Sequence, residues 1–105
     1  MKILFDQGTP APLRRSLHPN EVDTTFEKGW STVTNGELLK LAEDNGYDVF
    51  ITTDQNLRYQ QNLDERKISI MVLLSTSWPK IKLKVDIIQN TLVSIESGNY
   101  IEISV

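Results

Sequence analysis

The 105-residue chain contains no cysteine and a single histidine. Without cysteine there is no disulfide and no thiolate metal site, and one histidine is too few for a typical zinc centre. Proteins without cysteine fit a reducing compartment, so we expect a cytoplasmic protein. The length, together with 39% hydrophobic residues, predicts a single domain over residues 1–105.

Long apolar runs and glycine-rich loops are also missing from the chain. No apolar stretch approaches the roughly 20 residues that span a bilayer, and the first residues lack the apolar centre of a signal peptide. We therefore expect no membrane association. Gly8 stands alone after the first apolar run, so a phosphate-cradling glycine motif is absent. The net charge of -3 argues against a protein that coats nucleic acid, but it leaves room for a nuclease whose carboxylates recruit metal cations.

Strand-like and helix-like patterns alternate along the chain. This alternation predicts an α/β fold, a three-layer α/β/α sandwich with a mostly parallel sheet of about five strands. The predicted strands are residues 2–5, 21–25, 48–53, 68–74 and 100–105. The predicted helices are residues 10–18 capped by Thr9, a helix capped by Asn35 that runs to Asp44, a short polar helix over 55–66, and a long helix from Pro79 to Gly98. The last strand is expected at a sheet edge, where it could also pair two copies into a homodimer.

Two of the predicted strands lead directly into an aspartate: Asp6 follows residues 2–5, and Asp54 follows residues 48–53. In parallel α/β sheets, ligands bind beyond the carboxyl ends of the strands, where the strand order reverses. If these two strands are neighbours, both carboxylates lie at that point. Glu37, in the first turn of a predicted helix, is the candidate third acid. Carboxylate oxygens suit Mg²⁺ or Mn²⁺, and such an ion can activate water for hydrolysis of a phosphodiester.

Each of these acids also has a local structural explanation. Asp6 could make an Asx turn with the backbone near Gly8, and Asp54 could cap a helix that begins at Gln55. Glu37 suits the positive end of a helix dipole. The sequence alone leaves the structural and the metal-binding interpretations open.

The segment after Asp54 is rich in polar groups, with five side-chain amides over residues 54–63. Asn56 could hydrogen-bond a base edge or donate an oxygen to a metal, Arg58 could bind a phosphate, and Tyr59 could stack on an unpaired base. Arg14, beside the apolar face of the first predicted helix, is a further candidate for substrate binding. The alternative is a solvated helix face, which is a common surface feature.

Three segments in this order resemble the short PIN-like domains: residues 2–6, 35–39 and 49–54. The resemblance extends over about residues 1–75. It implies a compact α/β/α sandwich, an acidic cluster that binds magnesium or manganese, and cleavage of RNA. Asp6, Glu37 and Asp54 match the acids of the family pattern. Many relatives are toxins of type II toxin–antitoxin pairs, so the resemblance also implies a small DNA-binding antitoxin as partner.

The chain departs from the family pattern at two points. Full PIN nucleases usually have a fourth acid just beyond the third, where this chain has Asn56, with Asp64 several residues further on. Residue 7 is Gln7, where many short relatives have a glutamate. A second hypothesis is therefore a catalytically degenerate domain that acts as a binding module through a protein partner. A third is hydrolysis of a small phosphorylated metabolite by the same metal chemistry.

Overall fold

A computed structural model of the protein describes residues 1–57 and 66–105. The strands of this part are β1 (Lys2–Phe5), β2 (Glu21–Thr24), β3 (Val49–Thr52), β4 (Ser69–Leu73) and β5 (Tyr100–Ile103). They form one five-stranded sheet in the order β2-β1-β3-β4-β5, and all four strand pairs are parallel. The predicted α/β fold with a parallel sheet is confirmed, as is the edge position of the last strand.

The strand order reverses between β1 and β3. The chain passes from β1 to β2 on one side, then returns to place β3 on the other side of β1. Phe5 of β1 lies opposite Ile51 of β3, so the two strands end at the same edge of the sheet. Every residue of β3 and β4 is buried, as expected for central strands covered on both faces.

Helices lie on both faces of the sheet. In the described part of the chain they are α1 (Leu13–Ser16), α2 (Thr25–Lys28), α3 (Asn35–Asp44), α4 (Trp78–Lys82) and α5 (Val85–Ser94). One buried cluster joins α1, α4 and α5 to the sheet through Leu13, Ile81 and Ile88, and the other joins α3 to the opposite face through Leu39. The result is the three-layer α/β/α arrangement. Within the described residues, no helix is both long enough and apolar enough to cross a membrane.

The helices differ from the sequence prediction in three places. The predicted helix from Pro79 to Gly98 is interrupted at Leu83, giving α4 and α5. Helical spacing continues across this break, so periodicity could not reveal it. The helix α2 was not predicted, although Thr24 and Glu27 form a capping box at its start.

The third difference concerns the residues predicted to cap helices. The first helix begins only at Leu13, and the hydroxyl of Thr9 points to β3 instead of capping it. Asn35 is the first residue of α3, and Thr34 occupies the cap position. At both positions, the side chain that capping rules assign to a helix end forms a long-range hydrogen bond instead.

Candidate functional site

Asp6 and Asp54 lie at the carboxyl edge of the sheet, beside the reversal of strand order. Asp6 directly follows β1, and its backbone N–H donates to the carbonyl of Ile51 in β3 over 3.2 Å. Asp54 lies two residues beyond the end of β3. The parallel register of β1 and β3 brings these two chain segments together, as the sequence predicts.

The carboxylate of Asp6 is held by a hydroxyl group on each oxygen. Thr9 donates to Oδ1 over 2.9 Å, and Thr52 donates to Oδ2. The backbone N–H groups of Gly8 and Thr9 also hydrogen-bond to this side chain. Asp6 therefore does organise the turn after β1, as its local interpretation predicts. Because the second hydroxyl comes from β3, the same carboxylate also ties two strands together.

The carboxylate of Asp54 is held by one local and one distant donor. The N–H of Asn56 donates to Oδ1 over 3.0 Å, which is an Asx turn. The side-chain amide of Asn35, at the start of α3, donates to Oδ2 over 3.2 Å. The Asx turn gives Asp54 a local structural role, although most of the helix that it is predicted to cap, over residues 55–66, lies outside the described residues. The hydrogen bond from α3 is not explained by this local role. Each carboxylate oxygen has two lone pairs, so these bonds leave acceptor capacity for a ligand.

Burial disfavours the negative charge of Asp6. Burial raises the pKa of this carboxyl above its ordinary value of 3.8, while the hydrogen bonds from Thr52 and Thr9 act in the opposite direction. In the described part of the chain, neither Asp6 nor Asp54 forms an ion pair with a basic side chain. A partly buried carboxylate without a cationic partner is neutralised either by taking up a proton or by a bound cation.

The turn after β1 packs tightly against the end of β3. A Cβ atom added to Gly8 would lie 2.3 Å from Oγ1 of Thr53, far inside contact distance. Glycine at position 8 avoids this clash, which a larger residue could relieve only by displacing the side chain of Thr53. This contact and the Asp6 hydrogen bonds fix the two strand ends relative to each other.

The third predicted acid is not gathered with the other two. Glu37 is exposed in the first turn of α3, two residues after Asn35. Among residues 1–57 and 66–105, no three histidine, cysteine, aspartate or glutamate side chains are grouped closely enough to hold a metal ion. The donors assembled around Asp6 and Asp54 are instead hydroxyl and amide groups.

The predicted substrate-binding residues differ in where they lie and in what they contact. Asn56 is exposed beside Asp54, while Arg58 and Tyr59 lie outside the described residues. Arg14 lies in α1, where its guanidinium donates two hydrogen bonds to the carboxylate of Glu27 in α2. This pairing lowers the pKa of Glu27, chiefly through the hydrogen bond from Arg14. Arg14 is thus paired within the protein, beside the carboxyl edge of the sheet.

Sequence reasoning missed three residues that shape this site. Capping rules assign Thr9 and Asn35 to helix ends, and Thr52 belongs to the predicted strand over residues 48–53. The signal available for Thr52 was its place two residues before Asp54, at the end of an apolar run. Hydrogen bonds between residues far apart in sequence, such as Thr52 to Asp6, have no signature in periodicity or capping rules.

Two cavities lie at the opposite edge of the sheet. The larger, about 460 Å³, is lined by residues at the strand starts such as Val49 and Ser69, and the smaller, about 350 Å³, lies beside Leu17. The hydroxyl of Ser69 already donates to the backbone carbonyl of Glu96. We place the candidate site at the carboxyl edge because Asp6, Asp54 and the reversal of strand order coincide there.

Comparisons with known proteins gave no match: no family model, no curated protein and no solved structure is significantly similar to this chain.

Proposed function

We propose that this protein is a PIN-like ribonuclease that depends on Mg²⁺ or Mn²⁺. The observation that carries the proposal is that Asp6 and Asp54 follow adjacent parallel strands at their carboxyl ends, where the strand order reverses. The resemblance of residues 2–6, 35–39 and 49–54 to PIN-like domains supplies RNA as the substrate class.

The donor set at this edge fits a hard cation. Asp6 and Asp54 offer carboxylate oxygens, and the surrounding groups are hydroxyls and amides with no sulfur or imidazole. Mg²⁺ is commonly held by only one or two protein carboxylates, with waters and substrate phosphates completing its shell. Two acids therefore suffice for a site that waters and the substrate complete, and Glu37, the third acid that the resemblance assigns, would not be needed to hold the ion.

The protein's own residues would act mainly by holding the ion and the RNA in place. Asp6 and Asp54 would hold the ion, and Thr9 and Asn35 would each fix one of these carboxylates. The exposed Asn56, with Arg58 and Tyr59, would orient the RNA. When bound, the ion would activate a water molecule and offset negative charge on the phosphodiester.

The biological setting that we propose is a type II toxin–antitoxin pair in the cytoplasm. This rests on the resemblance, since many short PIN-like domains are toxins held inactive by a small DNA-binding protein. Co-expression with the product of a neighbouring small reading frame tests it. A complex that suppresses RNA cleavage supports the toxin role, and two proteins that purify separately contradict it.

RNA cleavage by the purified protein tests the enzymatic proposal. A fluorescent single-stranded RNA is incubated with the parent protein and Mn²⁺, with and without EDTA. We expect cleavage that EDTA abolishes and that both Asp6→Asn and Asp54→Asn lose. Asp44→Asn, the same change at the exposed far end of α3, is purified identically and should cleave as the parent does. Cleavage that persists equally in all variants indicates a contaminating nuclease and contradicts the proposal.

A binding module with a degenerate site is the second candidate. The observation in its favour is that the described residues contain no group of three acids. It predicts a folded parent protein that neither cleaves RNA nor binds Mn²⁺. Metal-dependent cleavage that is lost with Asp54→Asn excludes this candidate.

A further inference from the structure

The hydroxyl group of Thr52 contacts the carboxylate of Asp6 and the backbone of Asp54. It is the last residue of β3, and only 1% of its surface is exposed. Its Oγ1 accepts a hydrogen bond from the backbone N–H of Asp54 over 3.0 Å and donates its own hydrogen to Oδ2 of Asp6. The hydroxyl is therefore a direct bridge between the two chain segments.

The donor and acceptor roles of the groups determine the direction of the two hydrogen bonds of Thr52. A backbone N–H only donates, so the Thr52 oxygen must be the acceptor towards Asp54. Its single hydrogen is then available for the Asp6 carboxylate. Threonine is also stiff about χ1 because its Cβ is branched, so the backbone of β3 holds the hydroxyl in place.

The other hydroxyl on Asp6 is used differently. Oγ1 of Thr9 lies 2.9 Å from Oδ1 of Asp6 and also 2.9 Å from the carbonyl oxygen of Ile51. Its single hydrogen is shared between two acceptors, and it has no hydrogen bond to Asp54 in the described residues. Thr9 therefore closes the turn after β1, whereas Thr52 connects the carboxylate of Asp6 to the backbone of Asp54.

We propose that Thr52 is a positioning residue that sets the carboxylate of Asp6 relative to Asp54. Its importance for metal binding rests on the function proposed above, but the bridge itself does not. Groups that orient metal ligands typically change metal affinity by about 10- to 100-fold when removed. Thr52 belongs to this class, since it reaches a ligand rather than the ion.

Three variants separate this role from general stability. Thr52→Val keeps the branched shape and removes the hydroxyl, while Thr52→Ser keeps the hydroxyl. Ser69→Ala is the matched control, because Ser69 is also 1% exposed and its hydroxyl donates over 2.5 Å at the other edge of the sheet. Circular dichroism verifies that each variant is folded.

The first readout needs no metal. The NMR shift of the Asp54 amide is measured with and without Asp6→Asn, in the parent and in each variant. We expect the Asp54 amide to respond to Asp6→Asn in the parent, in Thr52→Ser and in Ser69→Ala, and to lose most of this response in Thr52→Val. An equal response in Thr52→Val overturns the proposal. If Thr52→Val does not fold, the comparison between Thr52→Ser and the parent decides, and a lost response in folded Thr52→Ser overturns it.

The second readout is Mn²⁺ affinity by calorimetry. We expect Thr52→Val to bind at least about 10-fold more weakly, with Thr52→Ser and Ser69→Ala close to the parent. Unchanged affinity in Thr52→Val overturns the positioning role. If the parent binds no Mn²⁺, the proposed enzymatic function fails, and the amide response alone decides whether Thr52 couples the acids.

Discussion

Asn35 and Asp54 join the start of α3 to the end of β3: the Asn35 side-chain amide donates to Oδ2 of Asp54 over 3.2 Å. This bond brings the amino end of a helix against a carboxylate at the carboxyl edge of the sheet. The opposite face of the same edge is closed by the turn after β1, through Asp6 and Gly8. The candidate site is therefore held by the start of α3 through Asp54 and by the turn after β1 through Asp6.

Replacement of Gly8 by alanine is expected to destabilise the protein by about 1–3 kcal/mol, since the new Cβ meets Oγ1 of Thr53 at 2.3 Å. Chemical denaturation measures the change. Thr53→Ala removes the clashing atom, so adding it to Gly8→Ala should recover most of the lost free energy of unfolding. Equal losses for Gly8→Ala in both backgrounds contradict the close approach of these two segments.

The pairing of Arg14 with Glu27 should appear in the titration of the glutamate. Arg14→Gln removes the guanidinium, so the pKa of Glu27 should rise towards its ordinary value of 4.5. Because the folded pKa is depressed, the stabilisation is present above the unfolded pKa and is lost as the pH falls through the folded pKa. NMR titration of the Glu27 carboxyl measures this. Arg15→Gln is the control, and an identical effect of both substitutions contradicts a specific pair.

Asp6 should give the opposite pH dependence. Its folded pKa is raised by burial, so its contribution to stability is fully present below the unfolded pKa and is lost as the pH rises through the folded value. The neutral variant Asp6→Asn lacks this titration. Relative to the parent, its free energy of unfolding should therefore increase as the pH rises from below 3.8 towards neutrality. Denaturation curves at several pH values measure the difference, and a difference that does not change with pH contradicts the burial of this charge.

The partly buried hydrogen bond between Tyr47 and Asp23 should contribute more to stability than an exposed hydrogen bond. The hydroxyl of Tyr47, which is 4% exposed, donates to Oδ2 of Asp23 over 2.5 Å. Tyr47→Phe removes this bond to a charged acceptor and should cost about 1.5–3 kcal/mol. In Tyr100→Phe the lost bond to Glu102 is exposed and measures 3.3 Å, so the loss should be smaller. Equal losses by chemical denaturation contradict this ranking.

The sheet could be predicted well from the sequence because its strands are distinct apolar runs. The continuous apolar run over residues 49–51 predicts a central strand, and the pairing of β3 with β1 places Asp6 and Asp54 at one edge of the sheet. Helix ends were predicted less well. Thr9 and Asn35 have the side chains of caps, but each forms a tertiary hydrogen bond that competes with capping.

The detailed content of the site could not be predicted for a related reason. The pair of Arg14 and Glu27 joins residues 13 apart in sequence, and the bond from Thr52 to Asp6 joins residues 46 apart. Such contacts depend on how helices and strands pack, which neither charge nor periodicity encodes. Sequence patterns could therefore locate the acidic edge, while the groups that hold the acids became visible only in the fold.

Mn²⁺ binding by calorimetry tests the central claim most directly. The parent, Asp54→Asn and the control Asp44→Asn are titrated with Mn²⁺, and circular dichroism verifies that all three are folded. We predict that the parent and Asp44→Asn bind one ion with the same affinity and that Asp54→Asn loses this binding. Equal binding by all three proteins, or no binding by the parent, would contradict a metal site built on Asp6 and Asp54.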